Sequence, residues 1–398
     1  MGIRTKFNPI GALPFSSEDV AQVVCSSSNT WVLKTDGTLW YCGSPLPGTT
    51  GSQQTFTQQL TDVARFACSS STIWAIKTDG TLWGRGSNNY GQQGDGTSQN
   101  VSTFTQRLTN VAQVACSDYT TWAIKTDGTL WGCGRGAYGQ QGNGNNDSVF
   151  RFTQRLTDVA HIACSNDTTW ALKTNGTLFG CGYNAYGQQG NGSNTDRVLT
   201  FTQQLTDVAQ IACSTQTTWA IRTDGTLLGC GYGAYGQQGL GNTSSVYYFT
   251  QQLTNVAQIA CSSIATWAIK TDGTLWGCGR GVFGQQGSGS TDDVLTFTQR
   301  LTNVAQIACS GQTTWAIKTD GTLWGCGNGN SGQQGGGSTD NVLIFTQRLT
   351  NVAQVACYLN TTWAIKTDGI LFGCGYNFNG QQGNGNTSNV LTFTKKEF

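Results

Sequence analysis

Nucleophilic catalysis needs a base beside its nucleophile, and this chain offers a single histidine, His161. A Ser-His-Asp or Cys-His arrangement could therefore exist once at most. His161 stands in VAHIACS, where other copies of the segment carry Gln, as at Gln113, so a substitution on a strand surface explains it better than catalysis. Most Asp residues fall in KTDG segments, where turn geometry accounts for them. No distinct carboxylate pair is left for acid–base work, and no catalytic residue and no cofactor are expected. The 15 Cys occupy two registers, an ACS position (Cys116 in the third copy) and a GCG position (Cys133), with Arg85 interrupting the second. Neither register forms a CxxC pair, and the one His, His161, stands near a single cysteine, Cys164, so no metal site is expected. A disulfide between registers would join strands about 9–10 Å apart, whereas a disulfide wants Cα atoms within about 7 Å. Cys68 also persists although Arg85 takes its would-be partner's place. Small buried thiols are the expectation.

Composition narrows the partner. The net charge is +1, with 11% charged residues, 54 Gly and 4 Pro. A nucleic-acid binder would show a basic excess or stripe, so none is expected. Low charge with abundant Gly and small polar residues could signal disorder, but 13 Trp, 17 Phe and 12 Tyr argue for a folded chain. The N-terminal MGIRTKFNPIGALPF contains no continuous apolar stretch for a signal peptide, and no 18-residue apolar run follows. Lys6 stands where a myristoylation signal needs Ser or Thr. Synthesis in the cytosol without membrane insertion is expected, with incorporation into a virus particle left open.

The rings must be positioned by a repeat, and the repeat is overt. TWAIKTDGTLWGCG recurs with its first Trp at Trp31, Trp74, Trp122, Trp170, Trp219, Trp267, Trp315 and Trp363, spaced 48 or 49 residues after a first interval of 43. A second marker, the Phe of FTQ(Q/R)L, recurs from Phe56 to Phe393. Within one copy, VAQVACS, TWAIK, LWGCG and VFRFTQRL read as four strands. Asp-Gly of KTDG would supply the positive φ angles of a tight hairpin. Four short antiparallel strands per 40–50 residues predict one blade of a β-propeller. The expected fold is all-β, a closed propeller of four-stranded antiparallel blades over residues 20–398, with eight blades favoured and seven the runner-up. A solenoid would need atypical capping units, yet the last copy is as regular as the middle ones. Residues 1–19 read as an arm, in which Lys6–Leu13 resembles an extra fourth strand able to latch the ring. The repeated Trp residues are expected to fill the space between blades rather than form glycan platforms.

The pattern VAxxxCSxxxTWAIKTDGTLWGCGxNxxGQQGxG resembles the repeat of the regulator of chromosome condensation family, from about residue 20 to the end. Ser117, Thr121 and Cys133 stand where the family repeat has Gly, His and Trp, and the second Gln of GQQG replaces a Leu. The resemblance implies a propeller, usually seven-bladed in that family. It also implies a guanine-nucleotide exchange factor-like regulator of a small GTPase as one function. No inserted wedge and no basic tail is visible, so that reading ranks second.

Strand alternation sorts the loops onto two faces. KTDG turns and LTD/LTN connections share one, with Lys34, Lys77, Lys125, Lys173, Arg222, Lys270, Lys318 and Lys366 as an alternative binding ring, each cation offset by a neighbouring acidic residue in most copies. The strand one–two loop and the long Gly-rich loop share the other face, which varies from copy to copy. Tyr90, Tyr119, Tyr138, Tyr186, Tyr235 and Phe283 are its candidate binding residues, suited to a protein or glycan partner. The expected function is a non-catalytic recognition or scaffold module, a structural or host-contacting component of a virus particle or bacterial surface assembly.

Overall fold

The computed structural model describes residues 19–47, 49–194 and 197–398. The expected arm, except Asp19, and its candidate latch at 6–13 lie outside the described residues. In the first repeat the strands are β1 (Val20–Cys25), β2 (Asn29–Lys34), β3 (Leu39–Gly43) and β4 (Gln53–Leu60), paired antiparallel in that order. The third repeat places them at Val111–Cys116, Thr120–Lys125, Leu130–Gly134 and Val149–Leu156, the segments that alternation marked out. Eight such sheets make the chain an all-β, eight-bladed β-propeller, with no helix among the described residues.

Two compact units divide the residues. One is built on Ala64–Thr266 and holds blades 2 to 5. The other takes Trp267–Phe398 with most of the first blade, and holds blades 7, 8 and 1. In both units the second strand is the hydrophobic centre of its blade. Trp122, Ala123 and Ile124 are buried, and Gly132 pairs with Trp122 on the third strand. That glycine is required by packing, because a Cβ there would overlap the Trp122 ring. Within each unit such a ring meets the Phe of the next blade edge to face: Trp122–Phe201 at 5.7 Å and Trp170–Phe249 at 5.8 Å in one unit, Trp267–Phe345 at 5.7 Å in the other. The core expectation for the tryptophans holds. Blade 1 departs from the rule. Tyr41 replaces the glycine, lies 4.7 Å from Trp31, and its hydroxyl donates to Asn29 Oδ1 at 3.4 Å.

The first and last blades adjoin within the second unit through the bonds that join any two neighbours. Val20 N donates to Gly369 O at 2.9 Å, as Val111 N does to Gly80 O in the first unit. Phe56 meets Trp363 at 6.0 Å, and Thr55 bridges Asn384. Blade 8 draws all four strands from Val352–Lys395, so none of its described strands comes from the N-terminal segment.

Local backbone chemistry fixes the connections. Asp62, Asp158 and Asp207, with Asn110, Asn255, Asn303 and Asn351, have φ between 58° and 61°, a left-handed conformation that Asn and Asp tolerate. In KTDG, Gly128 alone takes positive φ, at 80°, so the expected pair of positive angles is corrected. Asp127 serves instead as an acceptor: its Oδ1 takes bonds from Thr129 N at 2.9 Å and Thr129 Oγ1 at 2.6 Å. Those bonds, the hydroxyl's foremost, hold the Asp127 carboxyl below its usual range.

Candidate recognition site

The turn ends of the blades satisfy themselves. Trp131 Nε1 donates to Thr129 Oγ1 at 2.9 Å, and Lys125 Nζ lies 4.5 Å from the centre of the Trp131 ring. The arrangement repeats as Lys77 over Trp83, Lys173 over Phe179, Lys270 over Trp276, Lys318 over Trp324 and Lys366 over Phe372. Lys34 lies over both Trp40 and Phe398 and is buried. Arg222, in the fifth blade, has Leu228 where its neighbours carry a ring. A cation held over its own blade's ring is partly spent, at about 0.5–1 kcal/mol per exposed contact.

At the loop ends the glycine-rich segments clasp the next blade. Gln140 and Gln141 are fully buried. The Gln140 carbonyl accepts from Thr169 Oγ1 at 2.9 Å and Cys181 Sγ at 3.5 Å, both in the following blade. Its side chain accepts from Tyr138 N at 2.8 Å and donates to Asn166 O at 3.4 Å. Gln141 Nε2 donates to Cys133 O at 2.9 Å. Thr and Cys therefore replace the family's His and Trp at positions where a hydroxyl and a thiol bond the neighbouring loop. All fifteen cysteines are thiols. Burial pushes Cys133 and Cys181 well above the ordinary thiol range, and Cys25 up to about 12.

On this clasp stands a strip of aromatic rings in the Ala64–Thr266 unit. Tyr90 and Tyr119 meet edge to face at 5.4 Å. Arg135 places its guanidinium 5.5 Å from the Tyr90 ring, 5.1 Å from Tyr119 and 5.0 Å from Tyr138. Tyr138–Tyr183, Tyr183–Tyr186, Tyr186–Tyr232 and Tyr232–Tyr235 follow at 5.0, 6.0, 4.9 and 6.1 Å, all edge to face. Asp167 lies 3.7 Å from Arg135; burial raises its carboxyl pKa, and Arg135 opposes the shift.

Five of the six predicted aromatic residues thus share one strip, and Phe283 lies in the other unit. They are less open than expected: Tyr90 is 38% exposed, whereas Tyr119, Tyr138, Tyr186, Tyr235 and Phe283 are half-buried. The neighbouring Gln140 and Gln188 are consumed by the clasp. Four members were missed, Arg135, Asp167, Tyr183 and Tyr232. The signal for three was the residue after GCG, which is Arg135, Tyr183 and Tyr232 in successive copies; Arg280, Asn328 and Tyr376 take that place in later ones, and Tyr376 meets Phe378 at 6.4 Å in the other unit. No group of three or more His, Cys, Asp and Glu able to hold a metal occurs among the described residues. Nor is any helix among them long and apolar enough to cross a membrane.

The profile of the RCC1-like domain matches residues 3–299, and that of the regulator of chromosome condensation (RCC1) repeat matches residues 304–333. The chain belongs to the RCC1-like family. No curated protein matches it. Among solved structures, Prp20p from Saccharomyces cerevisiae is similar at a TM-score of 0.62 and 18% identity, over 86% of this chain and 90% of that one. Yeast RCC1 (Prp20) in the complex with Kap60 gives 0.64 and 16%, over 89% and 94%. Human WBSCR16 gives 0.60 and 19%, over 96% and 94%. At these identities the likeness is one of fold. For this RCC1-like chain, function must be read from its own site.

Proposed function

We propose that this RCC1-like propeller is a non-catalytic recognition module that engages a protein partner with the tyrosine strip at the loop ends of blades 2 to 5. One observation carries the reading: the rings run without a break across several blades while remaining partly open to solvent, unlike the buried tryptophans. Tyr and Arg are the residues that most often dominate binding surfaces. The Lys-rich turn ends are the weaker candidate, because their cations are held over rings and their Asp residues are hydrogen bonded. Eight nearly identical blades suit a scaffold in a virus particle or bacterial surface assembly, where the strip would face the host.

A second reading comes with the family. Prp20p is described by its binding to Gsp1p and histones, and yeast RCC1 by its complex with Kap60. A small-GTPase regulator is the corresponding alternative here. Release of a fluorescent guanine nucleotide from loaded small GTPases, with and without the chain, tests it; acceleration would favour that alternative.

The recognition reading is tested by a variant combining Tyr138→Ala, Tyr186→Ala and Tyr235→Ala. Photo-crosslinking to native neighbours is compared with wild type, alongside melting curves. Loss of crosslinks with little change in melting supports the reading. An early melt makes the rings packing residues, and unchanged crosslinks move the partner to another surface.

A further inference from the structure

Resting on the recognition reading above, we propose that the tyrosine strip binds a proline-rich segment of its partner in the polyproline II conformation. The argument begins with what the strip lacks. Sugar recognition pairs ring faces with planar amides or carboxylates that hydrogen bond hydroxyl groups. Here the nearby amides are occupied. Gln140 and Gln188 each accept from a tyrosine backbone N–H and donate to a carbonyl of the next blade. Asn166 Oδ1 accepts from Asp118 N at 3.3 Å, and Asp118 Oδ1 accepts from Ser70 N at 2.9 Å.

What the strip offers is a run of tyrosine rings, each meeting the next edge to face, every ring carrying a hydroxyl group. A polyproline II segment presents apolar ring surface and backbone carbonyls with no internal partner. Tyrosine supplies both complements, a face for the pyrrolidine and an O–H for the carbonyl, and aromatic-lined grooves are the known mode for such ligands. Two ring steps per blade, of 4.9 to 6.1 Å each, together run somewhat longer than the ~9 Å turn of that helix, so a segment would meet a ring at each blade without matching every turn. The charge agrees. Arg135 is balanced by the half-buried Asp167. Of the further charges beside the strip, Arg197, whose Nη1 donates to Ala137 O at 3.1 Å, is positive and Asp118, next to Tyr119, is negative, so no net charge of one sign selects a charged ligand. Because Gln140 and Gln188 fix the loop backbone at Tyr138 and Tyr186, the rings are placed before the ligand arrives, which lowers the ordering cost of binding.

The full chain is titrated with fluorescein-labelled decaproline and with PxxPxxP-type peptides, read by anisotropy, and with cellohexaose and maltohexaose by calorimetry. Wild type is compared with Tyr186→Ala, Tyr186→Phe and, at the turn end, Lys125→Ala. Expected are binding of at least one proline-rich peptide, weakening by about tenfold in Tyr186→Ala, and a smaller loss in Tyr186→Phe, which keeps the ring and removes the donor. Lys125→Ala should bind as wild type. A hexasaccharide that binds where the peptides do not overturns the proline assignment and leaves the recognition surface standing. Binding of neither probe, with crosslinks still lost in the triple variant, also overturns the proline assignment alone. Peptide binding unchanged in both Tyr186 variants overturns the placement on this strip.

Discussion

Aromatic rings meet edge to face in two regions of this propeller. Between neighbouring blades of one unit, tryptophans such as Trp122 and Trp267 touch the next blade's phenylalanine at 5.7 Å, and the tryptophan is fully buried. At the loop ends, tyrosines meet at 4.9 to 6.1 Å with much the same geometry but stay partly open. Ring geometry therefore does not separate packing from recognition. Burial and repetition do: the tryptophan recurs in all eight copies, whereas the tyrosines give way to Ser331 and Asn379 in later ones. A position every blade needs is explained by the fold, and one that only some blades fill asks for another cause.

The contrast can be broken by experiment. Its largest expected consequence is alkaline. Thiols buried in the seam, such as Cys133, Cys230 and Cys278, have folded pKa values pushed well above 9.0 by burial, while unfolded thiols ionise near the ordinary value. The unfolded chain then binds fewer protons above pH 9, so stability falls as pH rises, by up to about 1.4 kcal/mol per thiol per pH unit. Chemical denaturation at pH 8 and pH 10 measures this, and a flat profile would place the thiols outside the seam.

Removing one seam ring comes next. Trp122→Ala is expected to cost about 3–5 kcal/mol in the same assay while leaving the tyrosine strip's ligand contacts in place. A cost below about 1 kcal/mol would erase the distinction between the two sets of rings.

The junction of blades 8 and 1 carries a smaller, separable effect. Lys396 is buried, its Nζ has no hydrogen-bond partner, and it lies 5.5 Å from the Trp363 ring with the thiols of Cys42 and Cys374 as the titratable groups acting on it. Burial lowers its pKa from 10.5 to about 8. Below pH 8 the folded state must bury a charge, so Lys396→Met should gain on the order of 2–3 kcal/mol there. Between pH 8 and about 10.5 the unfolded state binds more protons than the folded one. The wild type then recovers its deficit and the difference between the two proteins closes. A gap independent of pH would show that the lysine reaches solvent.

The smallest effect on stability belongs to the strip. Tyr186→Ala should cost about 1–2 kcal/mol, less than Trp122→Ala, since each of its two edge-to-face contacts contributes about 0.5–1.5 kcal/mol beyond area and the ring is only half-buried. Calorimetric melting checks it; a loss matching that of Trp122→Ala would make the strip a second core.

Much was determined along the chain alone. Alternation in VAQVAC, TWAIK and LWGCG gave the strands, the recurrence of Trp gave eight blades, and Lys125 to Gly128 gave the hairpin, because each is a matter of residues within one turn or one strand of each other. The tyrosine strip was only half legible. Tyr138 and Tyr186 stood out as large rings in a loop, but Tyr183, Tyr232 and Arg135 sit at strand ends, where nothing in the local pattern says that they meet rings from a neighbouring blade. The same holds for Gln140 and Gln141, polar residues of a glycine-rich loop that are fully buried. Their partners, Thr169 and Cys181 for one and Cys133 for the other, are fixed by how blades stack and how the glycine-rich loop folds back. A local pattern records what a residue needs from its own strand, whereas contacts between blades exist only after each blade has closed and packed against the next.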